Sequence, residues 1–214
     1  MTGAQALNLL MARLGGRTNT TLRANCLLEM NLVQSATLEG GPLLPWFLIT
    51  TDATLTLSIG TRELTLPTNF LRELDEGGRI EIQNSDSEWK TMTKGEYQEL
   101  LAHWEEETTS ELPLDYALLG TQIAVFPLPE VASSVRMRYL GTGATIADDA
   151  VETVWLKYAA DLVIAETGII VASKHVREDA QKVKEFETDR NKAYARLLAA
   201  NTARAEANLN RRMG

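Results

Sequence analysis

Two histidines, one cysteine and two runs of acids are the side chains of this 214-residue chain with the most chemistry to offer. His103 and His175 lie 72 positions apart, and neither neighbours a serine or cysteine in a nucleophile–base arrangement. Cys26 is the only cysteine, which excludes an internal disulfide and a multi-cysteine zinc site and fits a reducing compartment. It sits in an apolar helical pattern with no adjacent cation or histidine, so an inert, packed thiol is expected. Glu105-Glu106-Glu107 and Asp148-Asp149 would serve a hydrolase only if two carboxylates were held roughly 5 to 9 Å apart about a pocket. The first run follows a helix end as a solvated charge run does, and the second reads as a helix N-cap. GxxxxGK[ST], GxGxxG after a strand, GxSxG, HExxH and the EF-hand spacing are all missing from the sequence. The expectation is a protein that is not an enzyme and needs neither metal nor cofactor.

Charge is more informative. Asp and Glu number 29 against 21 Lys and Arg, a net of -8, which argues against a surface that grips nucleic acid throughout. From Arg190 onward the balance reverses: Arg190, Lys192, Arg196, Arg204, Arg211 and Arg212 face only Glu206. That local charge of +5 leaves -13 on the preceding 189 residues. A basic tail matches a helix dipole as a solvated end does. The favoured reading is a docking arm, because from Asn201 the residues become small or polar with Ala203, Ala205, Ala207, Leu209 and Met213 as sparse anchors. Trp46, Trp89, Trp104 and Trp155 invite comparison with a base-stacking platform, yet Trp46 and Trp104 lack interleaved Lys or Arg, so core or subunit-interface packing is expected.

The elements that position these residues follow from periodicity. Ala6, Leu10, Met11 and Leu14 form an apolar helical stripe that Gly15-Gly16 ends, and the opening segment does not read as a secretory signal. A second helix from the Asn19-Thr20-Thr21 cap to about Ser35 buries Leu22, Cys26, Leu27, Met30 and Val33. Residues 54–59 and 62–66 then alternate with period two across Gly60-Thr61, which predicts a tight hairpin. Further strands are expected at 79–82, 122–126 and 135–139. Between them Thr93-Lys94-Gly95-Glu96 spells a capping box for a helix carrying Tyr97, Leu100, Leu101 and Trp104 onto one sheet face. After Gly143 a helix capped by Asp148 or Asp149 is expected to turn Val151, Trp155, Tyr158, Ala159, Leu162 and Val163 inward until Gly168. A last helix from about Val176 carries Ala180, Val183, Phe186, Ala193, Leu197 and Ala200 for 25 to 30 residues, roughly 40 Å at 1.5 Å each. It outruns the core it could cover.

No apolar run reaches the ~18 residues of a membrane span, and no internal repeat is visible. The fold class expected is α+β: a helical bundle built from both chain ends, with an inserted antiparallel β-rich module and a long C-terminal helix or arm. The corresponding segments are 1–42 (N-terminal helices), 43–146 (β-rich module with one helix) and 147–214 (C-terminal helices and basic arm).

Leu66-Pro67-Thr68-Asn69-Phe70-Leu71-Arg72-Glu73, Pro113-Leu114-Asp115-Tyr116-Ala117-Leu118-Leu119-Gly120, Ile123-Ala124-Val125-Phe126-Pro127-Leu128-Pro129 and Val135-Arg136-Met137-Arg138-Tyr139 occur in that order. Trp155-Leu156-Lys157-Tyr158-Ala159-Ala160 follows, then two helices and the basic tail. This combination resembles the head-tail adaptor proteins of tailed bacteriophages, the connector subunits that bind beneath the portal ring, over about Leu66 to Arg212. Gly168-Ile169-Ile170-Val171-Ala172 departs from the resemblance in being less helical than expected there.

The resemblance implies a non-enzymatic virion subunit at the head-tail junction, assembled in the host cytoplasm as a ring of about twelve copies. Such a ring binds the portal protein, touches neighbouring adaptor subunits, extends the DNA channel and offers a landing surface for tail, nozzle or stopper proteins. It involves no membrane, and genomic DNA passes through without sequence-specific binding. The portal contacts implied are Arg196, Arg204, Asn208, Leu209, Arg211 and Arg212, whose arginines would donate to portal acids or carbonyls. An acidic lining repels phosphates, so Glu105, Glu106 and Glu107 are nominated for the channel wall. The alternative is another ring-forming tail-completion or tail-tube protein, which needs no C-terminal arm.

Overall fold

A computed structural model describes residues 1–16, 18–42, 45–74, 80–104, 108–176 and 179–213, with the backbone alone at 50–54 and 205–213. The chain divides into a helical unit, Met1–Leu48 with Thr142–Gly214, and a β-rich unit, Ile49–Gly141.

The apolar stripe of the first helix, α1 (Gly3–Leu14), is buried. Thr2 and Gln5 close a reciprocal capping box at its start, and Gly15, in left-handed backbone at φ 76°, stops it. Asn19 caps α2 (Thr20–Leu32) by accepting from the Leu22 N–H at 2.9 Å. α2 then widens into a π-helical stretch, Val33–Glu39. Gln34 and Glu39 are both buried there. On an α-helix, residues five apart lie about 140° apart around the axis, whereas i→i+5 winding returns them to one side. The Gln34 amide accordingly donates to the Glu39 carboxylate at 3.0 Å.

The β-rich unit begins after a 3-10 turn, Trp46–Leu48, and contains β1 (Ile49–Leu57), β2 (Glu63–Thr65), β3 (Phe70–Glu73), β4 (Ile80–Gln83), β5 (Trp89–Thr91) and β6 (Thr93–Lys94). Then come α3 (Tyr97–His103), β7 (Thr109–Ser110), β8 (Asp115–Leu119), β9 (Gln122–Phe126), β10 (Leu128–Pro129) and β11 (Ser133–Gly141). One sheet runs β1-β11-β4-β5 with β3 also on β11, a second runs β2-β9-β8-β6, and β10 pairs with β7. All pairs are antiparallel except β6–β8 and β7–β10.

Alternation along β9 explains the layering. Ile123 and Val125 enter a core with Leu57, Ile82, Val135 and Met137, while Ala124 and Phe126 pack under Tyr97, Leu100, Leu101 and Trp104. The α3 helix therefore covers one sheet face, as its spacing predicts.

Two expectations fail here. The predicted 54–66 hairpin does not form, because β1 pairs with β11 and β2 with β9, in different sheets. Gly60 (φ 66°) makes the turn between them, but its N–H goes to the Pro129 carbonyl at 2.9 Å rather than across a hairpin ladder. The expected capping box of α3 is also unmade: Thr93 and Lys94 are consumed by pairing with β8, and Glu96 caps without a side-chain hydrogen bond.

The chain returns through α4 (Val154–Tyr158), α5 (Ala160–Lys174) and α6 (Ala180–Met213). Thr153 caps α4, accepting from Leu156 at 3.3 Å, in place of the expected Asp148 or Asp149. Asp148 instead takes a two-pronged ion pair from Arg23, which holds its carboxyl below the usual range. Val151 precedes the helix and is exposed, and Tyr158 is half-exposed rather than inward. The expected stop at Gly168 is overturned as well, since 168–172 lie inside α5. Gly168 leaves room for α6: a Cβ placed there would stand 2.4 Å from the buried Phe186 ring.

Candidate functional site

Two structural decisions bring side chains together on the C-terminal helix. The first is a break at Ala159 (φ -142°, ψ 32°), which separates α4 from α5 and leaves Lys157 and Tyr158 projecting beside α6. The second is a buried anchor that fixes α4. Trp155 is fully buried, and its indole N–H donates to the Glu39 Oε1 at 2.7 Å. The same oxygen accepts from the Gly143 N–H at 2.8 Å and from the Gln34 amide. A buried carboxylate needs such donors to offset its desolvation.

Aromatic contacts extend outward from that anchor. Phe47 meets Trp155 edge-on at 5.1 Å and stacks on Tyr158 at 5.3 Å, and Trp46 meets Tyr158 edge-on at 4.6 Å. The 46–48 turn is tied to α6 twice. The Trp46 N–H donates to Asn201 Oδ1 at 3.2 Å, and the Arg204 guanidinium lies 3.2 Å over the Trp46 ring.

The result is an open groove of about 420 Å³ between the start of α5 and the face of α6. Its walls combine Trp46, Tyr158 and Leu197 with three cations, Lys157, Arg196 and Arg204, against one acid, Asp161. Arg196 bonds Asp161 at 2.9 Å with both side chains well exposed, so the pair contributes less than about 1 kcal/mol. Three cations against one acid make the groove complementary in charge to an acidic, partly apolar surface.

The residues with chemical potential lie elsewhere. His103 is exposed and meets Trp104 edge-on at 4.9 Å. His175 stands 3.3 Å from the buried Glu29, which Lys174 also approaches at 3.4 Å. Burial pushes the Cys26 thiol up to about 11, and its neighbour is the Met11 sulfur at 3.8 Å. Among the described residues no three metal-binding side chains cluster.

Of the residues nominated from the sequence, Arg196 and Arg204 both line this groove. Asn208, Leu209, Arg211 and Arg212 lie on the backbone of α6, with side chains outside the described residues, as are Glu105, Glu106 and Glu107 entirely. Sequence reasoning missed the partnership of Trp46 with Arg204. No lysine or arginine flanks Trp46 in the chain, and its cation arrives from 158 positions away.

The family model described as "SU10 adaptor protein" matches residues 1–213, and the chain belongs to that family of phage adaptor proteins. No curated protein matches the chain. Membership makes it a structural component of a virus particle, with other virion proteins as its partners. No helix among the described residues is long and apolar enough to cross a membrane.

Proposed function

We propose that this chain is a head-tail adaptor that docks on the portal through its C-terminal helix. It forms a ring of about twelve copies in register with the portal, extends the DNA channel, and presents a surface to tail, nozzle or stopper proteins. The observation that carries this reading is the length of α6. Its 34 residues span roughly 51 Å, yet Leu197 is the last of its described side chains to be buried. Sixteen residues follow Leu197 to Met213 and include Arg204, Arg211 and Arg212. A helix whose described side chains from Leu198 to Arg204 are not buried, and whose backbone runs on to Met213 with further cations in its sequence, fits insertion against acids or carbonyls of a partner. Glu105, Glu106 and Glu107 are proposed for the channel wall, in keeping with the -13 carried by residues 1–189. A ring structure placing all three on the outer rim ends that assignment.

The test is electron microscopy of the portal from the same genome, alone, with the full chain, and with a chain lacking Ala203–Gly214. Added density beneath the portal that disappears on deletion is the expected result. Among the described residues the deletion removes no buried side chain and one ring contact, Arg204 over Trp46, worth about 0.5 to 1 kcal/mol, so the fold is expected to persist, which circular dichroism of the deleted chain checks. A full chain that leaves the portal bare refutes portal docking and transfers the protein to another ring-forming tail component.

A further inference from the structure

The helical unit exposes two uncharged stripes that its own chain leaves uncovered. On α2, Thr21, Ala24, Leu28 and Leu32 follow one another at three, four and four residues, all exposed, with Leu28 at 60% and Leu32 at 48%. On α6, Asn191, Tyr194, Leu198 and Thr202 repeat the same spacing, again all exposed, with Leu198 at 50% and Tyr194 at 39%. Both spacings mark a single helix face.

Their neutrality is local. Charged residues make up 23% of the chain, but from Thr20 to Glu39 there are only Arg23, Glu29 and Glu39. Glu29 and Glu39 are buried, and Arg23 is paired with Asp148. From Asn191 to Thr202 the charges are Lys192, about 100° round the axis from Asn191, and Arg196, paired with Asp161. A charged partner set against either stripe would be stripped of water without compensation, whereas each stripe is a chemically suitable partner for the other.

The two stripes cannot cover each other within one molecule. α5 packs against both α2 and α6. α2 turns Cys26 and Met30 inward, and Leu28 lies about 160° around the axis from each, on the outer side. α6 presents Phe186 to Gly168 of α5, and Tyr194 and Leu198 lie about 100° round from the buried Ala193 and Leu197. The α2 stripe therefore faces away from α5, and the α6 stripe lies along the flank of its contact with α5.

We infer that the α2 stripe of one copy packs on the α6 stripe of the next, a head-to-tail contact between copies of this chain. Such a contact leaves one unused stripe at each end, so it propagates until a ring closes. The inference rests on the ring-forming reading above and supplies its interface.

The test is cysteine crosslinking with a short bis-maleimide on the full chain, both free at about 1 mM, the weak end of specific association, and bound to the portal. L28C and L198C are exposed substitutions, and the native Cys26 chain is the control. The double variant L28C/L198C should give a ladder of multimers, equimolar L28C with L198C should give a dimer, and each single variant should stay monomeric. Dimers from L28C alone mean a symmetric contact and overturn the inference. Portal binding without any crosslink also overturns it while leaving the adaptor reading intact. A ladder from a chain that does not bind portal supports the interface and removes portal docking. No crosslink in either setting overturns the interface.

Discussion

Gly168→Ala tests the packing of α6 on α5. In an isolated helix alanine is favoured over glycine by about 1 kcal/mol, so propensity alone predicts stabilisation. The geometry predicts the reverse. The new methyl would lie 2.4 Å from Phe186 Cδ1 and Cε1 and 2.6 Å from Cγ, more than 1 Å inside a normal carbon contact. The ring has little room to retreat, since the Arg13 guanidinium stands 4.1 Å from its centroid and is itself bonded to Asp189 at 2.7 Å. Overpacking of this kind costs about 1 to 3 kcal/mol, and a ring held in this way belongs at the upper end. The net expectation is a loss of about 2 kcal/mol, a fall in Tm of roughly 4 to 8 °C for a chain of this size. Urea and thermal unfolding of G168A, F186L and the double variant, followed by circular dichroism, measure it. F186L should lower stability alone yet recover part of the G168A loss in the pair, giving a coupling of about 1 kcal/mol. G168A at or above wild-type stability, with additive double-variant behaviour, would show that the interhelical contact does not govern this site.

Three further outcomes are expected. Glu39→Gln weakens three hydrogen bonds converging on one buried oxygen, so stability should fall by about 1 to 3 kcal/mol with a change in Trp155 fluorescence; an unchanged unfolding curve and spectrum contradict this. Arg204→Ala removes the cation from over Trp46, so tryptophan emission should shift while global stability changes by no more than about 1 kcal/mol; an unaltered spectrum rejects the contact. Cys26 titrates near 11 in the folded chain, above its unfolded value, so the unfolded state loses its thiol proton first as pH rises. Its contribution to stability is full below the unfolded pKa and declines from about pH 9 to 11. Alkylation at pH 8 should be slow in the native chain and fast in urea, and equal rates contradict the burial.

The helices and five of the eleven strands are legible because their apolar periods are locally complete, as in Ala6 to Leu14 or Gln122 to Phe126, whereas strands such as Asp115–Leu119 carry no such alternation. Errors arose where distant partners intervened. Residues 54–66 alternate as a hairpin does, but period two states only that a segment is a strand, and β11 and β9 claimed its two halves separately. Thr93 spells a cap, but pairing with β8 competed for the same backbone. Gly168 looks like a helix stop until Phe186, 18 residues later, makes a missing side chain a packing requirement. At the groove, Arg196 and Arg204 stood out by charge, whereas Trp46 gained its meaning only from a cation brought to it by the fold.

The pairing of Ile49 with Leu140 has a bearing on how the polypeptide is made. The first and last strands of the β-rich unit lie side by side, so that unit can close once Gly141 has left the ribosome, before the C-terminal helices have emerged. The helical unit has no such independence: α1 and α2 both pack against α5, which is made more than a hundred residues later. Synthesis therefore imposes an order, with the inserted unit folding first and the N-terminal helices holding unburied apolar surface until the end. Nascent chains stalled once Gly141 is well outside the ribosome should contain a protease-resistant β core and protease-sensitive N-terminal helices, and overproduction should aggregate through those helices rather than through the sheets.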